Sequence, residues 1–131
     1  MTVDATNLGI SRLGQVAVNV QDVARATAFY RDVIGLKFLF SAGQLAFFDC
    51  GGVRLMLDKP ENKEFEHPSS ILYFVVSDIQ EAHQKLVHAG VRIFEVPRVI
   101  APMPDHDLWM SFFRDTEGNV MALMSEVPRT S

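Results

Sequence analysis

The chain has 131 residues, 16 acidic and 12 basic side chains and a net charge of −4, with 48% apolar and 21% charged residues. Those are the proportions of one globular domain, and they exclude a disordered or fibrous chain. The charges form no basic cluster, which excludes the footprint of a nucleic-acid binder, and no apolar run approaches the ~20 residues of a membrane helix. A single cysteine, Cys50, and an N-terminus without the features of a signal peptide lead to an expected cytoplasmic location.

Residues 15–20, QVAVNV, alternate with the period of a strand, and Asp22 follows as a helix N-cap. Val23, Ala26, Phe29, Tyr30, Val33 and Ile34 then recur at helical spacing, so a helix is predicted over 23–34, with Gly35 as its left-handed C-cap. Three strands are predicted next, over 36–40, 45–48 and 53–57, with Gly51 and Gly52 as a hairpin turn. From Ile71 the order begins again. ILYFVV reads as a strand, Asp78 and Glu81 as a capping box, and Ile79, Ala82, Leu86 and Ala89 as a helix face that Gly90 ends. QVAVNVQDVARA and ILYFVVSDIQEA align without a gap, with Val20, Asp22 and Ala26 matching Val76, Asp78 and Ala82. An internal repeat of this kind implies two units that bury their sheets against each other. The domain is placed at 11–126, as modules 11–58 and 69–126 with a linker at 59–68 and tails at 1–10 and 127–131.

Strand alternation assigns the faces. Val16, Val18 and Val20 point to the helix, and Gln15, Ala17 and Asn19 point away. In the second module Ile71, Tyr73 and Val75 match them. A turn of even length over 115–118 pairs Phe113 with Val120 and Ser111 with Ala122, and so places Trp109 and Met124 on this second face as well. In the first module the same face takes Phe47, Asp49, Arg54 and Met56. Both sheet faces are therefore largely apolar, which implies that the second is curved around a ligand, covered by another chain, or a second core.

The segments VNVQDVARATAFYRDVIGL and FFRDTEGNVMALMSE, each in a strand, helix and three-strand unit, resemble the vicinal oxygen chelate superfamily of glyoxalase I, extradiol dioxygenases, and fosfomycin and bleomycin resistance proteins. The resemblance covers residues 13–126. It implies an α+β fold of two tandem βαβββ modules forming a cup-shaped, mixed and largely antiparallel sheet, and modules that often pair across subunits. In metal-dependent members four positions on the concave face supply ligands. Carried over, these are Gln15 and Ile71, seven residues before the capping aspartates, and Met56 and Ala122, four residues beyond Gly52 and Gly118. Only Gln15 suits a hard metal, so no metal and no cofactor is expected, and glyoxalase and dioxygenase activities are placed in doubt.

Other side chains offer chemistry without a metal. His106, between Asp105 and Asp107, is a candidate acid or base or else an exposed loop histidine. Arg54 and Tyr73 are further catalytic candidates, the alternative for Arg54 being a salt bridge to Asp49. His67, His83 and His88 read as structural or solvated, and Cys50 as an idle thiol. The expected ligand-binding set is Gln15, Asn19, Phe47, Arg54, Met56, Ile71, Tyr73, Trp109, Ser111, Phe113 and Ala122, few polar groups in an aromatic lining, as small-molecule pockets have. Three functions follow. The first is metal-free binding of an apolar or aromatic small molecule, of the sequestration or resistance type. The second is a lyase, isomerase or dioxygenase-like enzyme using His106, Tyr73 or a non-standard metal site. The third is a structural or regulatory dimer with a filled cup. The expected partners are a small molecule and a second copy of the chain, with no nucleic acid and no membrane. The volume of the cup is expected to depend on a loop over 96–107, in which Pro97, Pro102 and Pro104 fix local turns.

Overall fold

A computed structural model describes residues 8–129. Strand β1 (Gln15–Asn19) is followed by α1 (Val23–Ala28), β2 (Lys37–Ala42), β3 (Leu45–Cys50) and β4 (Val53–Asp58). The second module repeats the order as β5 (Tyr73–Val75), α2 (Ile79–His88), β6 (Arg92–Pro102), β7 (His106–Arg114) and β8 (Val120–Pro128). Each module closes its own four-stranded sheet, in the orders β1-β4-β3-β2 and β5-β8-β7-β6. The pairs β1/β4 and β5/β8 are parallel and all others antiparallel, so the fold is the expected α+β, mixed and mostly antiparallel.

The predicted caps form. The Asp22 carboxylate accepts from the Arg25 N–H at 2.9 Å and that of Asp78 from the Glu81 N–H at 3.1 Å, each satisfying an N–H that a helix start leaves unpaired. The helix predicted over 23–34 keeps its span but changes gauge. After Ala28 it widens into a π-helical turn, Phe29–Ile34, which ends at Gly35 in the left-handed conformation with Leu36 N–H bonded to the Tyr30 carbonyl. The expected loop over 96–107 is largely strand, since β6 runs through Pro97 to Pro102. Proline is tolerated there because β6 is an edge strand and its pairing with β7 is bulged at three places.

The helix-side faces of the two sheets share one core. Val18, Phe48, Leu55 and Leu57 of the first module cluster with Phe113, Met121 and Leu123 of the second, under Tyr30, Ile79 and Leu86 from the helical segments. The open face of each sheet is left outside that core. No helix among the described residues is long and apolar enough to cross a membrane.

Polar contacts lock the modules together at the turn between β7 and β8. The buried Asp115 carboxylate accepts the Tyr30 hydroxyl at 2.7 Å, the backbone N–H groups of Glu117 and Asn119, and the Asn119 side-chain amide. Glu117 in turn caps the first module's helix entry. One of its oxygens accepts the N–H groups of Gln21 and Asp22 at 2.8 and 2.9 Å, and the other meets Arg25 at 2.8 Å. Desolvation pushes the Glu117 carboxyl up, but the hydrogen bonds from Asp22, Gln21, Arg25 and Thr116 outweigh it and hold the group below the usual glutamate range. A depressed carboxylate contributes stability that is complete above its unfolded value, about 4.3, and lost as pH falls through the lower folded value. Glu117→Gln is therefore expected to be about 1–2 kcal/mol less stable at pH 7. In urea unfolding across pH, the gap between the two proteins should be constant above about pH 5 and close as the medium is acidified below about 4.3.

Candidate functional site

In the first module the pairing arranges the open face as three rungs. Gln15, Arg54, Asp49 and Lys37 form a polar rung, Ala17, Met56, Phe47 and Phe40 an apolar one, and Asn19, Asp58, Leu45 and Ala42 a third. The register is set by Gly51 and Gly52, both at positive φ, which join β3 to β4 as a two-residue hairpin turn. Gln15, Phe47, Arg54 and Met56 accordingly share one face. Arg54 donates its Nε–H to the Gln15 side-chain oxygen at 2.7 Å and lies over the Phe47 ring at 5.2 Å from its centre. It makes no ion pair with Asp49, whose carboxylate accepts the Gly52 N–H instead. The Gln15 amide nitrogen points to the Met56 sulfur at 3.7 Å, and Phe40 stacks on Phe47 with ring centres 4.5 Å apart. Asn19 is occupied structurally, its side-chain oxygen accepting the His67 N–H and its carbonyl the Asn119 amide.

The second module corrects the expected register by one residue. Arg114 pairs with Val120, Phe112 with Ala122 and Met110 with Met124, while Phe113 pairs with Met121 and Ser111 with Leu123. The cause is the turn, which has five residues rather than four. Asp115 N–H bonds to the Asn119 carbonyl, while the Asp115 side chain gathers the N–H groups of Glu117 and Asn119. One residue of slip exchanges the faces of a strand. Trp109, Ser111 and Phe113, expected on the cup face, therefore point to the core: Ser111 and Phe113 are buried and Trp109 packs against the core cluster. Their places on the open face fall to Met110 and Phe112, which the sequence reading missed. Tyr73, paired with Ala122, sets its ring edge-on to Phe112 at 6.0 Å, and together with Phe112 it flanks an Ala122 that is fully buried. Ile71 precedes β5 and is exposed, as are Tyr73 and Val75 at 45% and 74%.

The proposed catalytic candidates are not assembled. Arg54 lies in one sheet and Tyr73 in the other, and His106 stands six residues along β7 from Phe112, roughly 20 Å in an extended strand. Its Nδ1 is 2.6 Å from Asp105, and the hydrogen bond from the ring holds that exposed carboxyl below the usual range. His83 is buried with Nδ1 unpartnered, and the Cys50 thiol is pushed up by burial and by Asp49, away from nucleophilic reactivity.

The four positions that would hold a metal do not fit one. They offer a thioether at Met56, hydrocarbon at Ile71 and Ala122, and one amide oxygen at Gln15 that is already engaged by a guanidinium. A hard divalent ion needs several N or O donors and is repelled by that cation. Among the described residues, no three His, Cys, Asp or Glu side chains are grouped to replace them.

Two βαβββ modules around a shared core, each leaving one sheet face open, define the class as a paired-module α+β domain. Residues 12–123 match the Glyoxalase/Bleomycin resistance protein/Dioxygenase superfamily, and the chain belongs to that family. It is 28% identical over 72 residues to the metallothiol transferase FosB of Staphylococcus haemolyticus, a match that spans 53% of this chain and 52% of that protein, so only about half of that relative's length is covered. The FosB of Lysinibacillus sphaericus is 25% identical over 116 residues, 84% of this chain and 79% of that one. Among solved structures, TnmS3, an antibiotic binding protein from Streptomyces sp. CB03234, superposes with a TM-score of 0.74 at 22% identity, over 91% of this chain and 98% of its own. A lactoylglutathione lyase from Agrobacterium tumefaciens gives 0.70 at 23% identity, over 89% and 95%. At those identities the two structures establish the fold alone.

Proposed function

We propose that the open sheet faces bind an apolar or aromatic small molecule without a bound metal, as a sequestering protein does. The observation that carries this reading is the donor set. Where a metal-dependent relative needs ligands, this chain has Met56, Ile71 and Ala122, and a Gln15 oxygen tied to Arg54. The exposed ring of Phe40, backed by the buried Phe47, and that of Tyr73 against Phe112 offer flat apolar surface to an incoming ring, worth roughly 0.5–1.5 kcal/mol per aromatic contact beyond the area buried. The antibiotic-binding TnmS3 shares this fold and supports the reading. The names of the FosB relatives favour a metal-dependent transfer reaction instead, but the residues here lack the donors for it.

The same faces point to a second copy of the chain as partner. Tyr73, Val75, Phe94 and Val96 leave large apolar side chains exposed on one sheet, more than a lone chain readily keeps in water. A pairing of one protomer's first module with its partner's second would enclose both faces as one cup.

Methyl-labelled methionine provides the test of binding, because the register sorts these residues. Met56, Met110 and Met124 lie on open faces and Met121 lies in the core. Titration with 2-naphthalenemethanol is expected to shift at least one of the first three methyl signals saturably and leave Met121 in place; shifts confined to Met121, or none at all, would refute the reading. Light scattering during gel filtration is expected to give twice the chain mass at micromolar concentration. A monomer mass would refute the shared cup.

A further inference from the structure

The polar rung of the first module has more cation than its partners neutralise. Arg54 uses Nε on Gln15 and its π face on Phe47, and among the described residues its two terminal nitrogens have no acceptor. Asp49, the acid across the strand, is turned to the Gly52 N–H. Lys37 ends the same rung, and Arg12 lines with Gln15, Leu39, Asp49 and Arg54 a depression of about 550 Å³. The one carboxylate of this rung is thus matched by Arg54, by Lys37 as its register partner and by Arg12, whose guanidinium donates to the Leu13 and Gly52 carbonyls, on a chain whose net charge is −4. The adjoining rung is aromatic, with Phe40 47% exposed and stacked on Phe47 at an interplanar angle of 26°.

We infer that this rung is an anion subsite and that the molecule bound on the open face is an aromatic carboxylate or a similar flat monoanion. The inference rests on the small-molecule reading above and narrows it. A planar guanidinium held at Nε by Gln15 and laid on a ring presents its remaining N–H groups as a fixed fork, the geometry that grips a carboxylate through two parallel hydrogen bonds. Side chains two residues apart on a strand are roughly 7 Å apart, so a carboxylate gripped at Arg54 directs a fused ring along β4 over Met56, beside the neighbouring Phe47 and the exposed Phe40. Arg54 therefore supplies the fixed positive charge that a metal-dependent relative obtains from its ion. It binds an anion but offers no open coordination position, which suits capture rather than turnover.

The test compares 2-naphthoate with its neutral isostere 2-naphthalenemethanol by calorimetry at low salt, with the Met56 methyl signal followed in parallel. On the unaltered protein the carboxylate is expected to bind at least tenfold more tightly, and 250 mM salt should remove most of that preference. Arg54→Met, a change at an exposed position, is expected to bring the two probes within about twofold of each other. Equal affinities on the unaltered protein, or a preference that survives Arg54→Met, would overturn the anion subsite while leaving the open-face reading intact, provided both probes move Met56. If neither probe moves a methyl group of either open face, the open-face reading fails and the subsite falls with it.

Discussion

The carboxylate of Asp115 is the constraint on which both the fold and the site depend. Buried and acceptor to four hydrogen bonds, it draws the β7–β8 connection into a five-residue turn and binds Tyr30 of the other module. Turn length fixes strand register, and register decides which side of β7 and β8 faces outward. Because Asp115 ends β7 as it does, Phe112 and Met110 line the open face while Trp109 and Phe113 enter the core. Through Glu117 the same turn caps the helix entry of the first module, so the docking of the modules and the composition of the site share one origin.

That coupling also explains what the sequence could reveal. The first module's faces were legible because Gly51 and Gly52 allow a two-residue turn and little else, and because Gln15, Asn19 and Arg54 mark one side of strands whose other side is aliphatic. The repeat and the capping aspartates were legible for a similar reason, since each has a local signature that does not depend on tertiary contacts. The second module offers no such contrast. Phe112 with Phe113, and Met121 to Met124, are apolar on both sides, so alternation cannot select a register, and the turn has to be known first. The signal available was Asp115, a residue type whose side chain closes longer turns by accepting backbone N–H groups, here those of Glu117 and Asn119. The extended β6 was hidden by its prolines, which read as loop punctuation unless the strand is known to be an edge.

The four positions that the resemblance assigns to a metal hold side chains that do not fit one. Metal-dependent relatives need a positive centre able to exchange ligands, and this chain sets a fixed organic cation against Gln15 with aromatic surface beside it. The fold is retained because its core residues and its Asp115 latch lie on the opposite side of the sheets from the altered positions. Met56, Ile71 and Ala122 belong to the side away from that core, and a binding role is open to the same scaffold.

A crystal structure grown with excess Mn²⁺ and 2-naphthoate, with anomalous data collected at the manganese edge, tests the central claim most directly. Arg54 is expected on the Gln15 oxygen, with the aromatic ligand on an open face, Phe112 beside Ala122, and no anomalous peak within coordination distance of Gln15 or Met56. A manganese ion bound there, or Trp109 in place of Phe112 against the ligand, would contradict it.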